Sequence, residues 1–233
     1  MYELVAGALK LEETLVLADL HVGYAAQLRA DGIHVPTNEA NTLLKKLKAL
    51  LEKTNPKQVV INGDLKHSFG RISDDEWRTI KEVRRVIEEH AQLILIKGNH
   101  DPLLQTIADE LELEVQQQYT LGETLIIHGD EKPTNLEGIT RIIIGHQHPA
   151  IRIGNSIRTE LVKCYLIGTY EKRELIILPS YFDLQEGSDV LQEKPISPLI
   201  KTFNDFEVHA LIGEETLHYG TVEDVAWMRE ETL

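Results

Sequence analysis

Short apolar runs recur along the first two thirds of this chain, and each stops abruptly at polar residues. Thr14-Leu15-Val16-Leu17-Ala18, Val59-Val60-Ile61, Leu93-Ile94-Leu95-Ile96, Thr124-Leu125-Ile126-Ile127 and Arg141-Ile142-Ile143-Ile144 are such runs. Unbroken runs of this length, rich in branched side chains, read as strands buried on both faces, as in parallel sheets. Helical patterns lie between them. Leu43, Leu44, Leu47, Leu50 and Leu51 form one apolar stripe, with Lys45, Lys46 and Lys48 mostly off it, and Thr37 or Asn38 offers a cap. Ser73-Asp74-Asp75-Glu76 is a capping-box pattern. It opens a helix that turns Trp77, Ile80, Val83, Val86 and Ile87 to the core. Residues 22–36 read as a short helix and then a loop punctuated by Gly32 and Pro36, and residues 103–111 as another short helix. Further on, Val162 to Ile167 and Glu174 to Leu178 read as strands. Residues 204–212 and 216–222 read as a hairpin around Gly213-Glu214-Glu215. Strand–helix alternation followed by a strand-rich part predicts an α/β core with parallel strands. The polar stretch from Ser180 to Pro198 is a linker candidate, but it is too short for a domain boundary and reads as a surface loop.

Composition narrows the class. The chain has 233 residues, 42% hydrophobic and 27% charged, enough for one large domain over residues 1–233 with its own core. No apolar run approaches the length of a membrane span, and Met1-Tyr2-Glu3-Leu4-Val5 lacks the basic start and apolar core of a signal peptide. The single cysteine, Cys164, excludes an internal disulfide and reads as a small buried hydrophobe. These features predict a cytoplasmic protein with no membrane partner. A net charge of −14 argues against a broad duplex-binding surface, which is usually basic. It leaves nucleic-acid chemistry open, because bound divalent cations change the local sign.

The residues at the strand ends change the picture most. They are Asp19 with His21, then Asp64, Asn99 with His100, His128, and finally His146 with His148. Each pattern alone has a bland reading: Gly63-Asp64 is a common turn, and Asp19 is a good helix cap. In extended chain, residues two apart point to the same side, so Asp19 and His21 can reach one ion together. Ligand groups collecting at the carboxyl ends of strands mark the usual site in α/β folds. Carboxylates, imidazoles and one amide oxygen suit Mn²⁺, Fe or Zn²⁺ better than a thiolate-seeking metal. They are too many for one ion. They divide into two sites sharing Asp64, and a pair of ions about 3.5–4 Å apart clamps both sides of a phosphoryl displacement. His34, His90, His209 and His218 have no such setting.

Taken in order, these patterns resemble the calcineurin-like metallophosphoesterase superfamily. They are Asp19-x-His21, Gly63-Asp64, Gly98-Asn99-His100-Asp101, His128-Gly129 and Gly145-His146-Gln147-His148. The resemblance spans residues 19–149. Ala18-Asp19-Leu20-His21-Val22-Gly23 with Asp31-Gly32-Ile33-His34-Val35-Pro36 resembles its ICC-like branch, which includes the DNA-ligase-associated phosphoesterases.

That resemblance implies a sandwich of two mixed β-sheets flanked by helices, with the site at the carboxyl ends of strands. It implies a binuclear centre, with Mn²⁺ the expected metal and Fe or Zn²⁺ also compatible. Asp19, His21 and His148 would hold one ion, and Asn99, His128 and His146 the other, with Asp64 on both. A hydroxide between the ions would be the nucleophile. His100 would steady the phosphate charge or protonate the leaving oxygen, and Asp101 would either orient that imidazole or cap the helix beginning at Pro102. Gly63-Asp64-Leu65-Lys66-His67 resembles the repair-nuclease pattern rather than that of the Ser/Thr phosphatases, although His67 can also be read as a loop histidine. The implied activity is hydrolysis of nucleotide or nucleic-acid phosphodiesters. The alternatives are a phosphomonoesterase of the same architecture and a non-catalytic interaction scaffold.

Overall fold

The alternating direction of side chains along the buried strands divides the core into layers. The computed structural model describes residues 1–35, 38–67, 72–154, 159–184 and 186–231. The expected break at Pro36 and the cap at Thr37 lie outside them. One sheet runs in spatial order β1 (Tyr2–Val5), β2 (Ala8–Leu11), β3 (Thr14–Ala18), β4 (Gln58–Asn62), β5 (Gln92–Ile96) and β6 (Val115–Gln116). From β3 to β6 its strands are parallel, and β1 and β2 join antiparallel.

The second sheet contains β7 (Gln118–Leu121), β8 (Thr124–Ile127), β9 (Arg141–Ile144), β10 (Pro149–Gly154), β11 (Thr159–Tyr170), β12 (Arg173–Ile177) and β13 (Ser188–Asp189). Its order is β13-β10-β11-β12-β9-β8-β7. β8, β9 and β12 are parallel to one another. The hairpin of β14 (Glu207–Ile212) and β15 (Glu215–Thr221) pairs through β14 with β11. The helices are α1 (Tyr24–Ala30), α2 (Glu39–Thr54), α3 (Asp74–Glu88), α4 (Leu104–Glu110) and α5 (Val222–Glu231). The result is the sandwich of two mixed sheets that the sequence resemblance implies.

Period-two strands explain the layering. Leu15, Leu17, Val59 and Ile61 face Leu43, Leu47, Leu50 and Leu51 of α2 and Ile80, Val83 and Ile87 of α3. Their neighbours Val16, Ala18 and Val60 face the other way, onto Ile126, Ile143, Tyr165 and Ile176 of the second sheet. Ile142, Ile144, Leu175 and Ile177 form that sheet's outer surface. It is covered by Val190, Leu199, Ile200, Phe203 and Phe206, with Val222 and Val225 of α5. The stretch 180–198 is a surface loop only in part: among its described residues Asp183, Glu186, Gln192 to Lys194 and Ile196 are exposed, whereas Ser180, Tyr181, Phe182, Val190 and Ser197 are buried, and β13 pairs with β10. The capping box at Ser73 forms as expected. α4 begins after Leu103 with no side-chain cap, not at Pro102. Cys164 is fully buried. Among the described residues, no helix is long and apolar enough to cross a membrane.

Candidate metal centre

Both sheets present the same edge to one point. β3, β4 and β5 end just before Asp19, Asp64 and Asn99; β8 and β9 end just before His128 and His146. The seam between them is tied by Asn62 Nδ2, which donates to the Ile127 carbonyl at 2.8 Å. The extended-chain argument for Asp19 and His21 does not describe how they meet. Both residues lie beyond the strand at positive φ, 56° and 43°. Asp64, His146 and His148 share that left-handed backbone, with φ of 46°, 61° and 45°. Such conformations are uncommon for residues with a β-carbon and gather at functional sites.

Two glycines make the approach possible. At Gly63, φ is +78° and a β-carbon would lie 2.1 Å from His128 Nδ1. At Gly98 a β-carbon would lie 2.2 Å from Asp64 Oδ1. The glycines in Gly63-Asp64 and Gly98-Asn99 thus leave room for the neighbouring ligand group rather than for a turn alone.

One set of ligand-type atoms closes tightly around Asp64, and a looser group lies on its other side. In the first, Asp19, His21, Asp64 and His148 each offer an atom within 4.8 Å of the others. His21 Nε2 lies 3.3 Å from His148 Nε2, and His148 Nε2 lies 3.4 Å from Asp19 Oδ1. In the second, His128 Nε2 lies 2.9 Å from Asn99 Oδ1, and the His146 ring lies 4.9 Å from the His128 ring. Asp64 Oδ2 is 3.7 Å from His21 Nε2 and 3.6 Å from His128 Nε2. The other carboxylate oxygens are already held. The His100 backbone N–H donates to Asp64 Oδ1 at 2.8 Å, and the His146 N–H donates to Asp19 Oδ2 at 3.0 Å.

The electrostatics fit a divalent cation. Burial, then the charge of Asp19, pushes the Asp64 carboxyl up to about 9. Burial also acts on Asp19, but His148, His128 and His21 outweigh it and hold that carboxyl at about 2. Burial lowers His21 to about 3 and His146 to about 4, so both rings are neutral donors at pH 7. Asp19 Oδ1 and His128 Nδ1 are buried and find no hydrogen-bond partner among the described residues. An open lone pair on a buried carboxylate oxygen is what a divalent ion takes, while His128 Nδ1, 3.6 Å from Asp19 Oδ1, lies on the ring edge away from Asn99 and Asp64.

The residues expected to act on substrate border this cluster. His100 lies half-buried with its Nδ1 3.3 Å from the His67 carbonyl. Its ring stacks on that of His67 at 5.6 Å and 22°. His67 Nδ1 is 3.4 Å from His21 Nδ1, and Tyr24 packs against the His67 ring at 4.4 Å. Asp101 corrects its expected role as a helix cap, since α4 has no side-chain cap. Its carboxylate accepts the backbone N–H groups of Leu65, Lys66 and Gly98. Those bonds clamp the Asp64 loop to the Asn99 loop.

Sequence reasoning missed three supports. Ser180 Oγ donates to the Asp19 carbonyl at 3.2 Å. Gln147, fully buried between His146 and His148, accepts the N–H groups of Ile196 and Ser197. Tyr24 backs His67. Only Ser180 carried a signal, since it follows the apolar run ending at Leu178, as the ligands follow theirs.

The signature of the calcineurin-like phosphoesterase family matches residues 13–143. This chain belongs to that family. It is a hydrolase of phosphoester bonds, and the family implies divalent metal ions. The match ends before His146 and His148, so their inclusion rests on the geometry above. The crystal structure of a Pseudomonas putida nuclease, MPE, shares the fold with a TM-score of 0.68 at 19% identity. It aligns over 93% of this phosphoesterase and 94% of that chain. A conserved Streptococcus pneumoniae protein described as a predicted phosphoesterase is more distant, with TM-score 0.35 and 14% identity over 89% of this chain and 96% of that one. No curated protein matches the chain in sequence.

Proposed function

We propose that the protein is a two-metal phosphodiesterase acting on nucleotide or nucleic-acid phosphodiester bonds, working as one domain in the cytoplasm. The observation that carries this reading is the position of Asp64 Oδ2, nearly equidistant from His21 Nε2 and His128 Nε2. One carboxylate oxygen at the junction of two ligand sets is what a shared, bridging ligand requires. Asp19, His21 and His148 would hold one ion and Asn99, His128 and His146 the other, with Mn²⁺ the expected metal. When bound, the pair supplies Lewis-acid polarisation of the phosphoryl oxygens and an activated water.

The chain's own groups do the rest. The His100 and His146 backbone N–H groups hold the distal oxygens of Asp64 and Asp19 and so fix the carboxylates' orientation. Burial lowers the pKa of the His100 ring. Protonated on binding a phosphate anion, it would give its proton to the leaving oxygen. His67, stacked on it, would keep that ring facing the substrate. The diester preference draws support from Gly63-Asp64-Leu65-Lys66-His67 and from the stacking of His67 on His100. The acidic surface disfavours a broad duplex interface, so the expected substrates are nucleotides, single strands or chain ends.

The deciding experiment compares bis-p-nitrophenyl phosphate with p-nitrophenyl phosphate in Mn²⁺, followed by cyclic nucleotides, single strands, duplex ends and dinucleotides. A higher kcat/KM on the diester is expected. Faster turnover of the monoester would replace this reading with a phosphomonoesterase.

A further inference from the structure

Two of the histidines outside the strand-end cluster come together on the C-terminal hairpin. His209 of β14 stands directly opposite His218 of β15. Their rings lie 4.8 Å apart at 39°. The register of the pair shifts between Glu207 and His209, an irregularity of the bulge kind that re-aims side chains. Glu207 Oε2 falls 3.7 Å from His209 Nε2 and 3.9 Å from His218 Nε2. One ligand atom from each of the three residues lies within 4.8 Å of the others.

We infer that Glu207, His209 and His218 form a separate site for one borderline divalent metal such as Zn²⁺. Two imidazoles and one carboxylate are a donor set that Zn²⁺ accepts, with water completing the shell. Tetrahedral bonds of 2.0–2.2 Å place ligands about 3.3 Å apart, so closure needs side-chain shifts of about 1 Å. His209 Nε2 is buried and has no hydrogen-bond partner among the described residues. A buried ring nitrogen left this way is costly unless something takes its lone pair. Glu207 and His218 are half exposed, at 56% and 53%, so an ion and its water have a way in. The site shares no residue with the strand-end centre. An ion there would clip β14 to β15 and steady the strand that pairs with β11.

The test is Zn²⁺ content by equilibrium dialysis of the full chain preloaded with Mn²⁺, comparing wild type with His218→Ala and Glu207→Gln. Wild type should hold one more Zn²⁺ per chain than His218→Ala, whatever the strand-end centre exchanges. Zn²⁺ should raise the melting temperature of wild type more than that of His218→Ala. Phosphoesterase rates in Mn²⁺ should be equal for the two. Glu207→Gln should keep the extra equivalent at saturation and bind it more weakly. Equal Zn²⁺ content in wild type and His218→Ala would overturn the site. A Glu207→Gln variant with wild-type affinity would overturn the carboxylate's part in it. Because the reading is a difference between variants, it stands or falls apart from the phosphodiesterase assignment.

Discussion

The two sheets bring different chemistry to one edge. The first supplies both carboxylates, Asp19 and Asp64, the amide of Asn99 and one imidazole, His21. The second supplies imidazoles only, His128, His146 and His148. Both carboxylates of the ligand cluster therefore come from one layer, and imidazoles close over them from the other. Groups from both layers meet in the cluster, so it also marks the seam of the sandwich. What tests this division is whether a change on one side is felt on the other.

The largest effect should come from the shared carboxylate. Asp64→Asn keeps the shape but removes the charge that, in the proposed bridging role, would offset two cations. Turnover should fall to background, and metal content should drop in both ligand sets. Two tightly bound ions and near-normal rates in this variant would contradict the bridging role. Next is His100→Ala, which should leave metal content intact while slowing an unactivated phosphodiester by roughly 10²–10⁴-fold, as for loss of a general acid. Esters of p-nitrophenol need little protonation and should slow less. Equal slowing of both would remove the general-acid role and leave only charge stabilisation.

A change in the first sheet should also disturb a ligand on the second. Gly63→Ala sets a methyl against His128 and strains a positive φ. Such incompatible substitutions destabilise by more than about 1 kcal/mol. The variant should melt lower and lose metal from the set containing His128, as metal analysis and calorimetry would read. If metal content stayed at the wild-type level, the close approach of Gly63 and His128 would not matter to the centre.

Metal removal probes the seam itself. Ligands from both layers exist together only in the folded state, so free metal at 100 times its Kd adds about 2.7 kcal/mol. For a domain of this size that is a melting shift of about 5–10 °C. The pH sense follows from Asp64. Without metal its folded-state pKa, about 9, lies above its unfolded value. The protonated form therefore favours the fold at low pH, and that contribution is lost as pH rises through neutrality toward 9. Metal replaces the proton, so the gap in melting temperature between Mn²⁺-loaded and EDTA-treated protein should widen from pH 6 to pH 8.5. A gap that narrowed over this range would contradict the raised pKa.

Much of this was legible because the ligands end strands with no polar interruption. Val59-Val60-Ile61 or Arg141-Ile142-Ile143-Ile144 announces both a buried strand and the place where it stops. The opening hairpin was not legible in the same way. Its turn, Ala6-Gly7, has positive φ at both residues, 46° and 87°, the geometry normally flagged by Asn-Gly or Asp-Gly. The packing of Val190, Leu199, Ile200, Phe203 and Phe206 onto the second sheet follows no period, since the chain there is mostly irregular. Asp101 shows a different limit: its place beside His100 in sequence said nothing of the three backbone N–H groups it serves.

The smallest expected effect concerns a lysine that links the two layers at one remove. Lys163, on β11 of the second sheet, donates from Nζ to the Ser180 carbonyl at 2.8 Å and to that of Phe182. Ser180 in turn donates to the Asp19 carbonyl of the first sheet. Burial, with the charge of Lys46, pulls the Lys163 pKa down to about 7. The unfolded chain keeps this proton to about pH 10.5. Between those values the unfolded state binds more protons, so the lysine's contribution to stability rises with pH from about 7 upward. The slope has a ceiling of about 1.4 kcal/mol per pH unit, and partial solvent access keeps it well below that. Metal-loaded wild type and Lys163→Met, melted at pH 7, 8 and 9, isolate it from Asp64. The difference between them should shift in favour of wild type by about 2 °C per pH unit or less. A difference that stayed flat would mean that Lys163 remains charged, holding the 180–182 carbonyls as an ammonium, and that the second sheet's support of Asp19 is insensitive to pH.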